Sequence, residues 1–353
     1  MAIELYYFSG TGNSLRVAQE LRRRLPEIEL KPIASLWNRD GVASKADAVG
    51  FVFPVYTMLP PFPVVRLLRR IDLESARYIF SVVTRSGSAE RAPRMVERLV
   101  ARKGRRLDAS WAVTMPGNCE GAFVYGVPPR EMAAEQESRM IDKVARIGEA
   151  VAARASFRER DDPPFSLRKL VGPLVAPLIL PMLSIIGGLV DKLDINVKYF
   201  ADSTCAGCGT CEEVCPSRKI AMDGGRPAWR EGVRCFLCYS CYNYCPSASI
   251  LVEKSTTDRS RRYRHPRISA SEIAAQKAWP GTGRGCCRFG PRLSRTAPFG
   301  VAAAGREQGG PLPSHKLLRD RPIRPFHHAV AKIDECLHLG REIPDVHGRG
   351  VYH

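Results

Sequence analysis

Short apolar runs alternate with amphipathic stretches through the first 155 residues. Residues 3–8 read as a strand. Residues 14–25 place Leu15, Ala18, Leu21 and Leu25 on one side of a helix. A weak strand follows at 29–33. The unbroken apolar run 48–53 suits a strand buried on both faces. A short helix is expected after Pro63, strands at 77–84 and 110–115, and helices at 89–103 and 130–155. This strand–helix alternation predicts an α/β fold, a doubly wound parallel sheet of five strands covered on both faces.

The pattern then changes. Residues 156–200 form a connector that begins polar and runs without a charge from Leu170 through Val190, long enough to cross a bilayer. Pro173, Pro177 and Pro181 favour an apolar bridge packed against protein. Peripheral membrane contact through 170–190 and a transmembrane helix are the competing readings. Residues 201–253 hold a cysteine array, and 254–353 form a basic tail. After about residue 276 Gly and Pro make 19 of 77 residues, so poor order is expected there.

The chain has 353 residues and 44% hydrophobic composition, which is globular and suggests more than one domain. Its formal charge is +18, of which +11 lies in 254–353, with 19 basic and 8 acidic residues there. All seven histidines lie from His265 onward and read as solvated tail residues. Met1 runs straight into a strand pattern with no secretory signal, which predicts a reducing, cytoplasmic setting. Clustered cysteines in such a setting are metal ligands more often than disulfides. Cys205 and Cys245 bound a 41-residue stretch holding eight of the twelve cysteines. Cys119, Cys286, Cys287 and Cys336 show no such pattern.

Strand one ends in Ser9-Gly10-Thr11-Gly12-Asn13-Ser14, where a helix begins. Such a turn gathers backbone N–H groups at a positive helix end, and its hydroxyls and amide add donors suited to a terminal phosphate. It lacks the Gly-Lys-Ser/Thr ending of a nucleoside-triphosphate loop and is not Gly-x-Gly-x-x-Gly. The competing reading is a Ser-capped turn that binds nothing.

These residues resemble the flavodoxins, whose first loop holds the phosphate of FMN. Ser9, Thr11, Gly12, Asn13 and Ser14 stand at the matching positions. The resemblance covers about 1–150 and implies strand order 2-1-3-4-5, with FMN at the carboxyl edge of the sheet. It also implies that Pro54, Val55 and Tyr56 after strand three, and Thr84 and Gly87 after strand four, flank the flavin. Tyr56 would stack on the ring; as an alternative it is a rim packing residue. The 84–88 loop lacks the aromatic that flavodoxins often carry, leaving one flavin face open. Arg85 reads as a solvated loop charge, or as a cation favouring an anionic reduced flavin. Asn118, after strand five, is a weaker candidate.

The cysteines fall in two runs. Cys205, Cys208, Cys211 and Cys215-Pro216 are followed at the same spacing by Cys235, Cys238, Cys241 and Cys245-Pro246. Structural zinc sites use two Cys pairs and four ligands in all, so a duplicated run of three plus Cys-Pro argues against zinc. The spacing resembles that of bacterial ferredoxins with two [4Fe–4S] clusters, a small α+β domain. The resemblance implies crossed ligation, with Cys205, Cys208, Cys211 and Cys245 on one cube and Cys235, Cys238, Cys241 and Cys215 on the other. Ile220 and Ile250 read as matching core positions of two pseudosymmetric halves.

Over roughly 1–275 the chain resembles the EFR-type flavodoxin–ferredoxin fusion proteins, including a Tyr263–Pro266 segment like theirs. That resemblance implies electron transfer between FMN and two clusters, coupling one- and two-electron partners, with another redox protein as donor or acceptor. Each oxidised cube carries about −2 with its thiolates and the phosphate about −2 more, so the loaded core is near neutral and nucleic acid is not an expected partner. No catalytic triad or acid–base carboxylate pair is visible. The alternative function is a flavin-dependent reductase of a small acceptor such as a quinone; a third reading leaves the flavodoxin-like domain empty.

Overall fold

In a computed structural model of the chain, residues 2–56, 58–89, 91–118, 127–159, 182, 198–253, 259 and 262–278 are described. All of them belong to one compact unit, Met1–Cys286. The stretch 170–190 (apart from Met182), the tail beyond 278, and Cys119, Cys286, Cys287 and Cys336 lie outside the described residues.

The first half is a parallel sheet of β1 (Ile3–Tyr7), β2 (Ile28–Pro32), β3 (Ala48–Pro54), β4 (Tyr78–Arg85), β5 (Ala109–Thr114) and β6 (Phe157–Arg158). The strand order is β2-β1-β3-β4-β5-β6, the flavodoxin-like order with one strand added at the edge. Helices α1 (Asn13–Arg24) and α4 (Arg130–Ala152) cover one face, and α2 (Phe62–Arg70) and α3 (Arg91–Ala101) the other. Side-chain alternation explains the apolar strands. Ile3, Leu5 and Tyr7 of β1 face α1 and α4, whereas Tyr6 and Phe8 face the opposite core. In α1, Leu15, Ala18, Leu21 and Leu25 are buried as the helical period requires. Arg22, Arg23 and Arg24 fill its last turn, where the helix dipole favours cations.

Five strands were expected in this sheet and, among the described residues, it has six. The sixth falls in a polar stretch that carries no strand pattern, and side chains hold it. Phe157 stacks on Trp111 with ring centroids 5.9 Å apart. The Ala112 N–H donates to Glu159 at 3.0 Å, and the Lys143 ammonium donates to the Ala112 carbonyl at 2.6 Å and pairs with Glu159. These side chains occupy part of the open edge of β5.

The second half begins with β7 (Tyr199–Ala201) and α5 (Thr210–Val214). It continues through β8 (Ile220–Asp223), β9 (Arg226–Trp229), α6 (Ser240–Tyr244) and β10 (Ile250–Val252). Strands β7 and β10 pair antiparallel, as do β8 and β9. The cysteines at 205, 208, 211 and 215 recur 30 positions later, and the structure repeats with them. Helix α5 matches α6, and Ile220 and Ile250 are equivalent core residues, 2% and 1% exposed. Backbone in the left-handed region recurs at Gly207 and Leu237, Gly209 and Tyr239, and Arg218 and Ala248.

Residues 262–278 form a strap that ends in α7 (Ala270–Ala275), whose Ser269–Glu272 capping box fixes its start. The sequence pattern assigns this stretch to the tail. Its partners are distant in sequence: Gln276 is fully buried and brackets Ser9, accepting the Ser9 N–H at 3.0 Å and donating to the Ser9 carbonyl at 2.9 Å.

Candidate cofactor sites

At the carboxyl edge of the sheet the loops after β1, β3, β4 and β5 border an open cleft. Ser9, Thr11, Asn13, Ser14, Pro54, Val55, Tyr56 and Thr84 all line it, together with Gly10, Arg85 and Asn118. Two expected residues do not. Gly12 is the left-handed N-cap of α1, with its Cα turned toward His265 and Ile268. Gly87 lies beyond the cleft, its carbonyl accepting from the Arg85 guanidinium at 2.9 Å. Arg85 is not a solvated loop charge: it closes β4 and is 8% exposed.

The cleft is polar and preformed. Ser14 and Thr84 share a hydroxyl hydrogen bond of 2.7 Å, and the Asn118 amide donates to the Thr11 hydroxyl. Gly12 N–H donates to the Ser9 hydroxyl at 3.1 Å. Helix α1 starts with no side-chain cap and no acidic residue in its first turn, so its positive end faces the cleft uncompensated. The Asn13 amide nitrogen donates to the Pro116 carbonyl at 3.0 Å, which leaves Oδ1 buried without a partner. A buried acceptor without a partner costs about 1–3 kcal/mol, which a ligand hydroxyl would recover. The donor set therefore fits a phosphorylated ligand that also carries hydroxyls.

The eight cysteines ring two further cavities. Cys205, Cys208, Cys211 and Cys245 line one, and Cys215, Cys235, Cys238 and Cys241 line the other. Each cavity thus takes three thiols from one run and the fourth from the other. Among the described residues no three His, Cys, Asp or Glu side chains converge on a point that could hold a single metal ion. Donors spread around a cavity fit a polynuclear group. Hydroxyls approach the sulfurs with a repeating offset of two: Thr210 at 3.4 Å from Cys208, Ser217 at 3.5 Å from Cys215 and Ser240 at 3.1 Å from Cys238. Cys245 has both Ser247 and Ser249, at 3.6 and 3.2 Å. Burial pushes the Cys211 thiol up to about 11 and Cys238 up to about 12, so ligation must displace their protons. Burial raises Cys245 too, but its hydroxyl and backbone hydrogen bonds win and hold it below the ordinary thiol value.

Several residues that serve these sites escape a reading of the sequence. Phe236 is 3% exposed in the core between the sheet and α2–α3, packed edge-on against Phe8 and Trp37 with centroids 6.0 and 4.6 Å away. The Ser240 hydroxyl donates to the Gly10 carbonyl at 2.7 Å, and the Asn243 amide donates to the Asn118 carbonyl at 3.2 Å. His265, expected in solvent, is 1% exposed. Its backbone N–H donates to the Thr11 carbonyl at 2.8 Å, its Nδ1 accepts from Arg267 N–H at 3.2 Å, and its Nε2 lies 2.8 Å from Glu137. That geometry requires the proton on Nε2. One signal was available in the sequence: the second cysteine loop carries Phe236, Leu237 and Tyr239 where the first carries Ala206, Gly207 and Gly209. Bulky apolar residues at those positions mark a loop with something to pack against.

Residues 204–250 match the family model for a 4Fe-4S dicluster domain. No curated protein sequence matches the chain. Among solved structures, the chain is similar to an NAD(P)H:quinone oxidoreductase from Methanothermobacter marburgensis, at 12% identity and TM-score 0.31, over 43% of this chain and 97% of that one. It is similar to a flavoprotein in complex with FMN from Lactobacillus acidophilus, at 14% identity and TM-score 0.26, over 31% and 92%. It is also similar to a flavodoxin from the domain Archaea, at 13% identity and TM-score 0.27, over 42% and 99%. The fold assignment rests on the strand order itself. Among the described residues no helix is long and apolar enough to cross a membrane.

Proposed function

We propose that this chain is an electron-transfer protein of the EFR-type flavodoxin–ferredoxin fusion kind, holding FMN in the sheet-edge cleft and one [4Fe–4S] cube in each cysteine-ringed cavity. The observation that carries the reading is the composition of the two cavities, each with a complete quartet assembled from both runs. A flavin exchanges one or two electrons and each cube exchanges one, so the set links one-electron to two-electron partners. The chain's own residues supply position and tuning. Ser9, Thr11, Ser14 and the start of α1 would hold the phosphate, and Asn13 Oδ1 would accept from a flavin side-chain hydroxyl. Pro54, Val55, Tyr56 and Thr84 form the walls against which the ring system would lie. Thr210, Ser217 and Ser249 bring hydroxyls within reach of the sulfurs, and a hydrogen bond donated to a ligated sulfur would raise a cluster's reduction potential.

Anaerobic purification followed by iron, sulfide and flavin analysis tests the reading. Two cubes and one flavin give about eight irons, eight sulfides and one FMN per chain. One tightly bound zinc with no sulfide, or clusters without flavin, would reject it in whole or in its flavin half. A second reading, reduction of a small acceptor such as a quinone at the flavin, is favoured by the absence of an aromatic side chain in the 84–88 loop. Rapid turnover with a quinone, and none with protein acceptors, would select it.

A further inference from the structure

The two cysteine quartets are related by an internal repeat, yet their surroundings differ. In the first loop Ala206, Gly207 and Cys208 are exposed. In the second, Phe236 and Cys238 are 3% and 8% exposed and belong to the core of the sheet. Cys238 also touches the flavin-side loop directly. A methyl group placed on Gly10 would lie 2.2 Å from the Cys238 carbonyl oxygen and 3.0 Å from both its Cβ and the Tyr56 hydroxyl. Only a residue without a side chain permits that approach. Ser240 completes a bridge, with its hydroxyl 3.1 Å from Cys238 Sγ and 2.7 Å from the Gly10 carbonyl. Asn243 adds a second tie, to the Asn118 carbonyl on the far loop of the same cleft.

From this asymmetry we infer that the two quartets act in series. The inner quartet, Cys215, Cys235, Cys238 and Cys241, is the one in electronic contact with the cleft. The outer quartet, Cys205, Cys208, Cys211 and Cys245, is the port for a one-electron protein carrier, which reaches it at exposed Cys208. The inference rests on the proposed function and adds an order to it. With both cubes and the flavin bound, each passage would oxidise the external carrier by one electron and pass that electron through the outer and then the inner quartet. Two passages, with two protons taken from solvent, would supply the two electrons of one full flavin reduction, and the reverse direction would balance in the same way. Electron tunnelling falls steeply with distance, so the Gly10–Cys238 contact makes the inner quartet the short step and the exposed loop the entry.

The order is tested by removing one cube at a time from the full chain, reconstituted anaerobically. Cys208→Ala and, as a backup, Cys205→Ala disable the outer quartet; Cys241→Ala and Cys235→Ala disable the inner. The first readout is the relaxation of the singly reduced flavin's EPR signal, which a nearby reduced cube accelerates. Fast relaxation should persist in the outer variants and slow severalfold in the inner ones. The second readout is stopped-flow bleaching of the flavin by a reduced ferredoxin, which should slow severalfold in the outer variants as well. The opposite EPR pattern, or unchanged bleaching in Cys208→Ala and Cys205→Ala, would overturn the order. Iron and flavin content of the same samples separates the two levels. A full chain lacking either group overturns the function itself, whereas loaded samples with reversed signals overturn only the order.

Discussion

The cysteine loops at 205–210 and 235–240 are copies of one another in spacing and backbone, and opposites in surroundings. Both place residues in the left-handed region at their third and fifth positions. The first loop uses glycine there, and at Gly207 little else would fit, since an added methyl would lie 2.7 Å from the Gly225 carbonyl. The second loop uses Leu237 and Tyr239, which adopt that conformation at a cost of roughly 1–2 kcal/mol each. The strain is the cost of carrying side chains where the first loop has none. Duplication of a metal-binding loop therefore leaves the ligand geometry alone while the intervening positions specialise, one loop toward solvent and the other toward a partner domain.

The largest expected effect breaks this contrast at its apolar anchor. Phe236→Ala removes a buried ring from contact with Phe8 and Trp37 and should destabilise the protein by about 4 kcal/mol, within the range for buried aromatics. The equivalent position, Ala206, is exposed, and Ala206→Ser should change stability by less than about 0.5 kcal/mol. Urea unfolding of the two anaerobically loaded variants, followed by cluster absorbance and by far-ultraviolet circular dichroism, checks the pair. Similar midpoints would show that the second loop is not held by the sheet.

A smaller effect concerns the strap, the other attachment of the 9–14 loop. Burial alone would raise the Glu137 carboxyl above its ordinary 4.5, but its contacts with His265 and Arg16 outweigh burial and hold it lower. A carboxyl lowered on folding stabilises the native state above its unfolded value, and that contribution fades as pH falls through the folded value. Wild-type stability should therefore drop below about pH 4.5 more steeply than that of Glu137→Gln, which has no such proton to take up. At neutral pH the variant should be weaker by about 2 kcal/mol, from lost charge-assisted hydrogen bonds. Thermal unfolding between pH 7 and pH 3 gives both numbers. Parallel curves for the two proteins would mean that the His265–Glu137 contact does not hold the strap.

These tests follow the line between what was legible in the sequence and what was not. Strand and helix positions came within a few residues of those observed, because a sheet covered on both faces writes its burial into local apolar runs. That the Gly/Ser-rich turn at 9–14 borders a cleft and that the eight cysteines group in two fours was legible for a similar reason: these residues are close in sequence or at fixed spacing. The joint between the halves was not. Gly10 and Ser240 are 230 positions apart, and Ser9 and Gln276 are 267 apart. A serine or glutamine that satisfies a distant carbonyl has no periodicity to reveal it, and a buried histidine looks like any other when its carboxylate partner is 128 residues away. The sixth strand was missed because side-chain hydrogen bonds, not an apolar pattern, hold it at the edge.

The smallest effect is also the sharpest, because it compares two hydroxyls related by the repeat. Ser240 and Thr210 are 30 positions apart, each two residues after a cysteine, and each reaches that cysteine's sulfur. Ser240 is fully buried and its single proton goes to the Gly10 carbonyl. It can therefore receive a hydrogen bond from a Cys238 thiol but cannot donate to a Cys238 thiolate without releasing Gly10. Thr210 is half-buried, and its hydroxyl meets the Cys208 sulfur at 3.4 Å, within its own loop. Ser240→Ala should cost about 1–2 kcal/mol, since it leaves a buried carbonyl unpaired, and should loosen FMN as well as the inner cube. Thr210→Ala should cost about 0.5 kcal/mol or less and leave flavin binding unchanged. Flavin fluorescence titration of the two variants, alongside urea unfolding, measures the difference. If both variants release flavin equally, the Gly10–Ser240 bond does not couple the cleft to the second cysteine loop; if only Ser240→Ala does, one hydroxyl joins the two sites.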